Sequence, residues 1–202
     1  MRAVFRVALL ILTLGSSIAA AGVREFDLDT KNRLGRRLIN PPPSNSGVRA
    51  RAKQTALTAS KGMLFKELRY SYAVLDDPDG NGFLVYALAG STRPNEMILG
   101  GHIRVTVSAD GMKAERVDDI SQRMIRQPLA PSGVKVEVVG THDPNSQIPA
   151  ETYIYTSDLH GVPIFIGPAP GVYWCAYKGW LQRVAAEDVK DEQRATESSK
   201  KR

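Results

Sequence analysis

Apolar and polar side chains alternate along this chain from residue 64 onward. Apolar residues occupy every second position in residues 68–74, and the same period recurs in residues 103–107. Successive side chains of a β-strand point to opposite faces of a sheet, so this period predicts half-buried strands. A turn sequence that contains an Asp-Gly pair follows each run, at residues 76–82 and 109–112. Because Asp-Gly favours tight turns, both runs are predicted to begin β-hairpins.

Further short strands are predicted along the rest of the central region. They fall at residues 83–89, 113–117, 134–141, 152–157, 163–167, 172–177 and 180–184, with one short helix at residues 118–125. Short strands at close spacing, without long helices between them, are typical of antiparallel sheets. We therefore expect a mainly β domain at residues 62–184. It would be an antiparallel meander, a small sandwich or a partly open barrel, with at most one or two short helices.

The first 21 residues have the order of a secretory signal peptide. Arg2 and Arg6 are positively charged, residues 7–14 are almost entirely apolar, and small residues follow. The apolar run is far shorter than the ~20 residues that a membrane-spanning helix needs. We predict cleavage after Ala19 or Ala21, export to the periplasm or the medium, and no transmembrane span in the mature chain.

Positive charge is concentrated in residues 22–61. Between residues 31 and 61 the chain contains Lys and Arg but no Asp or Glu. Three prolines at residues 41–43 are followed by Ser, Asn and Gly, a composition that favours an extended backbone. We therefore predict a flexible basic arm that adds nothing to the core. Residues 185–202 are also highly charged and are predicted to form a solvated, frayed tail or an exposed helix.

A basic arm of an exported protein has two interpretations. It can bind an anionic envelope surface or an acidic protein, since each Lys or Arg near such a surface contributes about 1 kcal/mol. It can instead be a solvated tether. Nucleic acid is not an expected partner outside the cytoplasm. The candidate contact residues on the arm are Arg33, Arg36 and Arg37.

The turn at residues 77–82 matches the first half of an EF-hand calcium loop. Asp77, Asp79 and Asn81 alternate before a glycine, so their oxygens can converge on one cation. The second half of the loop is missing, because the twelfth position is Leu88 and not glutamate. An ordinary hairpin turn is the alternative. Calcium is the one cofactor that the sequence suggests, and a calcium-stabilised β module is therefore a second hypothesis for this chain.

The three histidines, His102, His142 and His160, suggest a hydrolase as a further hypothesis. Histidine serves as the base in many hydrolytic sites, and His142 and His160 lie near Asp and Ser residues. Their spacing fits none of the common zinc or nucleophile motifs. We therefore assign no catalytic residue from the sequence.

Aromatic residues are concentrated in the last third of the chain. They are Tyr153, Tyr155, Phe165, Tyr173, Trp174, Tyr177 and Trp180. Aromatic side chains supply much of the contact energy at protein and sugar interfaces, but they also fill cores. The candidate partner-binding residues among them are Tyr153, Tyr155 and Trp180. The single cysteine, Cys175, excludes an intrachain disulfide and is predicted to be buried.

Three segments resemble exported proteins of Gram-negative bacteria that have no assigned activity. The segments are residues 100–111, 149–155 and 161–167. The resemblance extends over residues 70–184 and implies a β-rich domain of the cell envelope, without catalytic residues to transfer. Together these observations favour a non-catalytic binding or interaction module of the envelope.

Overall fold

The computed structural model describes residues 22–121, 124–129, 138–139, 147–169 and 171–185. The helices are α1 (Leu28–Ile39), α2 (Gly47–Ser60) and α3 (Thr152–His160), with a 3-10 turn at Lys61–Met63. The strands are β1 (Arg69–Asp76), β2 (Phe83–Gly90), β3 (Glu96–Gly100), β4 (Ile103–Val107), β5 (Ala114–Asp119), β6 (Met124–Pro128), β7 (Val138–Val139), β8 (Ile164–Ala169), β9 (Val172–Tyr177) and β10 (Trp180–Val184). The predicted mainly β, antiparallel fold is therefore confirmed; among these strands only β7 and β8 pair in parallel.

Strands β1, β2, β4 and β5 form one antiparallel sheet in that order. At the first hairpin, the Asp77 N–H donates to the Gly82 carbonyl at 3.0 Å, and at the second the Gly111 N–H donates to Ser108 at 2.8 Å. Gly111 has φ 74, a left-handed conformation that favours glycine. Both hairpins predicted from the Asp-Gly turns are present.

Both faces of this sheet are covered. Ala52 and Ala56 of α2 pack with Val85 on one face, whereas Leu34 and Leu38 of α1 pack with Leu84 and Tyr86 on the other. Strand β2 is consequently buried along residues 83–89. A continuous apolar strand is typical of a sheet buried on two sides.

A second sheet has the strand order β10-β9-β8-β7, and β3 pairs with β6. Ile154 of α3 packs with Ile164, Trp174 and Leu181 of this sheet in a core cluster that also includes Met97 of β3. Cys175 is buried on β9, as predicted. The β9–β10 hairpin turns through Lys178 and Gly179, which have φ values of 49 and 80.

The prediction that residues 22–61 form a flexible arm without a core is wrong. Most of this segment is helical, and Leu34 and Leu38 of α1 are buried. They lie four residues apart and so share a helix face, while the Asp27 carboxylate caps α1 by accepting the Thr30 N–H at 2.7 Å. A Cβ added at Gly35 would lie 2.6 Å from the Ile154 side chain, so α1 approaches α3 closely. The three prolines lie between the two helices.

Two further local predictions are wrong. Within the predicted helix at residues 118–125, Asp118 and Asp119 end β5, Met124 and Ile125 begin β6, and none of the described residues is helical. Residues 152–157 belong to helix α3, which ends at Gly161 with φ 65. Its Tyr-Ile-Tyr sequence suits a strand by propensity, but burial of Tyr153, Ile154 and Ser157 favours the helix here. The predicted signal peptide, most of residues 134–141 and the tail beyond residue 185 lie outside the described residues.

None of the helices in the described ranges is long and apolar enough to span a bilayer.

Candidate functional site

The predicted calcium turn is in contact with an arginine. Arg24 donates to the two carboxylate oxygens of Asp77 at 2.7 and 2.8 Å and to Asp79 at 2.9 Å. Burial raises the pKa of Asp77, but the hydrogen bonds and charge of Arg24 outweigh it and leave that pKa below its ordinary value. Asn81 is exposed beside them. The described residues contain no group of three or more acidic, His or Cys side chains placed to hold a metal, and calcium binding stays a prediction.

The histidines differ in their surroundings. His102 is buried, its Nδ1 accepts the Ala89 N–H at 3.0 Å, and its Nε2 lies 3.5 Å from Thr156 Oγ1. Burial lowers the pKa of His102 to about 4, so the ring is neutral near pH 7. Burial also lowers the pKa of His160, at the end of α3. His142 lies outside the described residues. Both ring nitrogens of His102 thus face the fold itself, and the hydrolase hypothesis gains no support from this residue.

A buried charge cluster lies between the first sheet and α3. Arg104 donates to Glu151 at 2.7 Å and to Asp118 at 3.0 Å, and the Tyr86 hydroxyl donates to Glu151 at 2.8 Å. The side chains of Arg104, Glu151 and Asp118 are each at most 2% exposed. Burial raises the pKa of Glu151, but Arg104 overcomes this and keeps the carboxylate ionised. Arg104 is therefore shared by two buried carboxylates, and Arg116 is the second cation at Asp118.

The N-terminal segment before α1 completes this cluster. The Phe26 ring is buried, with the guanidinium carbon of Arg24 4.8 Å and that of Arg104 4.7 Å from its centroid. Arg104 also donates to the backbone carbonyl of Arg24, and Arg116 donates to Asp118 at 2.6 Å. Residues just after the predicted cleavage site are thus part of the folded core. We interpret the whole cluster as a set of structural contacts that connect the N-terminal segment, the first sheet and the start of α3.

Sequence reasoning missed this cluster because Arg104 alternates with Ile103 and Val105 and was therefore expected to face solvent. The polar face of β4 is instead covered by α1, α3 and the N-terminal segment. One feature of the sequence indicated that this face is covered. The uninterrupted apolar run of β2 indicates a sheet without a solvent face.

An exposed site forms where α1 meets the β9–β10 hairpin. We call Arg36, Tyr177, Lys178 and Trp180 the basic aromatic surface. The guanidinium carbon of Arg36 lies 4.1 Å from the centroid of the Trp180 ring, and the Lys178 ammonium lies 5.1 Å from that of Tyr177. Trp180 is 54% exposed and Tyr177 is 38% exposed. Two cations thus stack on two aromatic rings that remain open to solvent.

The sequence folds this way because of a local turn and a helix contact. Lys178 and Gly179 both have positive φ, as a two-residue hairpin turn of this kind requires, so Tyr177 and Trp180 are directly paired across the strands. A Cβ at Gly179 would lie 3.3 Å from Arg36 Cγ. Glycine therefore permits both the turn and the close approach of the arginine.

Asn32 fixes α1 against the hairpin. The Leu181 N–H donates to Asn32 Oδ1 at 2.7 Å, and Asn32 Nδ2 donates to the Leu181 carbonyl at 3.2 Å. The buried amide thereby pairs with the outer edge of β10 as a neighbouring strand would. Arg36 lies four residues further along α1, on the same face of the helix as Asn32, and is exposed.

The structure brings together only part of the predicted contact set. Arg36 and Trp180 are in contact, whereas Arg33 and Arg37 are exposed elsewhere on α1, Arg37 lying 3.7 Å from Asp76. Tyr153, which was predicted to contact a partner, is instead buried in the core. Tyr155 packs at the edge of another core cluster and is half-buried. Sequence reasoning did not select Tyr177 or Lys178, although the Lys-Gly turn between two aromatics was a visible signal.

Comparison with protein-family models, with curated proteins and with solved structures finds no match to this chain.

Proposed function

We propose that the protein is exported and acts in the cell envelope as a non-catalytic binding module, with the basic aromatic surface as its contact site. The observation that carries this proposal is the stacking of Arg36 on Trp180 at 4.1 Å, with the indole 54% exposed. Tryptophan and arginine, with tyrosine, are the residue types enriched at binding hot spots.

An exposed indole is costly to keep in water. A tryptophan buries about 150–250 Å² when it is covered, so the exposed half of Trp180 amounts to roughly 100 Å². At about 25 cal/mol per Å², covering that area would contribute about 2.5 kcal/mol to binding. This is an upper figure, because association also costs entropy.

The surface also has a single sign of charge. Residues 31–61 and 171–185, which include α1 after its first turn and the whole β9–β10 hairpin, contain no Asp or Glu. Arg36, Lys178 and the exposed Arg33 therefore lie in stretches of the chain without acids; Asp29, the one acid of α1, lies in its first turn. A surface of this kind favours an anionic partner over a neutral one.

The chemistry of the interior supports binding over catalysis. Three buried ionisable groups with shifted pKa values, Arg104, Glu151 and Tyr86, are joined by hydrogen bonds through Glu151 inside the fold. Catalytic groups need access to a substrate. These groups are instead used to join the sheet to α3.

Fractionation of Gram-negative cells that express the full chain tests this function. We expect the wild-type protein in the envelope fraction, and release of Trp180→Ala and Arg36→Ala into the soluble periplasmic extract. Lys66→Ala removes one exposed charge and Leu159→Ala one exposed apolar side chain outside the surface, so both should stay with the envelope. Equal melting temperatures of all four variants would show that folding is intact.

Two results would overturn the proposal. A wild-type protein found in the cytoplasm would refute export. Envelope association that is lost equally in the control variants, or kept equally in all four, would refute the basic aromatic surface as the contact site.

A further inference from the structure

Resting on the proposed function, we infer that the partner of the basic aromatic surface is the headgroup region of a bilayer that contains anionic phospholipids. The β9–β10 hairpin places Tyr177 and Trp180 at the interface, while Arg36 and Lys178 contact lipid phosphates.

The aromatic pair suits this depth in a bilayer. Tyr177 and Trp180 are paired across the hairpin at its turn, and both remain exposed. Tyrosine and tryptophan combine an apolar ring with a polar O–H or N–H, and they are enriched at membrane interfaces for that reason. A hairpin turn can reach headgroups without burying strand backbone in hydrocarbon, which would be costly.

The cations are placed where phosphates would be. Arg36 lies over the indole at 4.1 Å and Lys178 lies 5.1 Å from the Tyr177 ring. A ring that enters the interface therefore carries its cation to the level of the phosphates. Guanidinium forms bidentate hydrogen bonds with phosphate, and the apolar stems of Arg and Lys can lie along the acyl boundary.

A lipid surface fits better than an acidic protein. A stable protein interface usually buries about 800 Å² on each partner around a packed centre. The exposed aromatic area here comes from two side chains at one hairpin turn. A bilayer needs no shape complementarity, and a few interfacial aromatics with several basic residues are sufficient for reversible binding.

Co-sedimentation of the purified mature chain with vesicles tests this inference. The vesicles are phosphatidylcholine alone, or phosphatidylcholine mixed with phosphatidylglycerol, at low and high salt. We expect binding to the anionic vesicles only, and loss of that binding at high salt because salt screens the phosphates.

Variants assign the binding to the surface. Arg36→Ala should weaken binding roughly fivefold, the effect of one basic residue near an anionic bilayer. Trp180→Ala should weaken it roughly tenfold, because the ring loses its place at the interface. Lys66→Ala, which removes an exposed charge outside the surface, should change binding by less than about twofold.

Fluorescence gives a second readout. The chain has two tryptophans, and Trp174 is buried in the core. In the Trp174→Phe variant, Trp180 is the only tryptophan, so its emission should shift to shorter wavelength with anionic vesicles and should be quenched by brominated lipid. An unchanged spectrum in the presence of bound vesicles would overturn insertion of the hairpin.

The two proposals fail in different ways. If anionic vesicles do not bind the wild type, but cellular envelope association still depends on Arg36 and Trp180, the lipid inference is wrong and the proposed function stands. Loss of envelope binding after protease treatment of the envelope would likewise identify a protein partner and overturn the lipid inference. If neither association depends on the surface, both proposals are wrong.

Discussion

Replacing Arg104 with methionine should strongly destabilise the fold. The guanidinium contacts Glu151 at 2.7 Å and Asp118 at 3.0 Å, and both carboxylates are at least 98% buried. Methionine keeps much of the volume but leaves these two charges without their shared cation. Removing one member of a buried ion pair costs about 3–5 kcal/mol, and the lost contact with the Phe26 ring adds about 0.5 kcal/mol. We expect a loss of about 4 kcal/mol, a large part of the usual 5–15 kcal/mol.

The pH dependence of this loss identifies its cause. In the wild type the pKa of Glu151 is below its ordinary value, so its contribution is present at neutral pH and falls as pH drops through the folded-state pKa. In Arg104→Met the burial of Glu151 is no longer opposed by that charge, so its pKa rises above the ordinary value. The variant then recovers stability as acid protonates Glu151. The wild-type effect acts below 4.5, the ordinary pKa of Glu151, and the effect in the variant acts as the pH falls from neutral towards that value, so both make the difference between the two proteins shrink in acid.

Urea denaturation followed by circular dichroism measures this difference at each pH. Arg33→Met is the matched control, because Arg33 is exposed and its replacement should change stability by less than about 0.5 kcal/mol. Adding Glu151→Gln to Arg104→Met removes the stranded charge and should restore about 2 kcal/mol. A loss under about 1 kcal/mol, or one that does not change with pH, would refute the assignment of Arg104 as the cation of a buried cluster.

Three other substitutions test separate contacts. Burial lowers the pKa of His102 from 6.5 to about 4, so the stability of the wild type should fall by about 3 kcal/mol as the pH drops through that window. His102→Asn should flatten this part of the pH profile measured by urea denaturation. Arg24→Gln removes the cation that pairs with the buried Asp77 carboxylate and should lower the melting temperature. Equal melting temperatures of the wild type in excess calcium and in chelator would refute the calcium hypothesis. Asn32→Ala leaves the Leu181 N–H and carbonyl without their side-chain partner and should cost about 1–3 kcal/mol; an unchanged free energy of unfolding in urea titration would contradict the edge pairing.

The hairpins could be predicted because their information is local. Alternation and the Asp-Gly turns lie within about ten residues of each other, and tertiary context does not override them. Helices α1 and α3, unlike the hairpins, depend on contacts with residues distant in the sequence. Their sequences contain polar or β-favouring residues, and the helices form because Leu34, Leu38 and Ile154 are buried against distant strands.

The site could be predicted only in part, for the same reason. Charge and exposed aromatics indicated Arg36 and Trp180 separately, but their contact depends on packing between the N-terminal helix and the last hairpin. Tyr153 looked equivalent to Trp180 in the sequence, yet it lies on the buried side of α3. Composition identifies residue types that can bind, and tertiary structure decides which of them remain exposed.

The position of α1 holds the proposed contact site in one arrangement in the free protein. One face of the helix carries Asn32, whose amide is bonded to both backbone groups of Leu181, and the next turn carries Arg36 over Trp180. The helix and hairpin are therefore held together by buried contacts before any partner arrives. Each flexible side chain that must be ordered costs about 0.5–1.5 kcal/mol on binding. Because Arg36 and Lys178 are already stacked on their rings in the free protein, ordering these two side chains should cost less free energy when a partner binds.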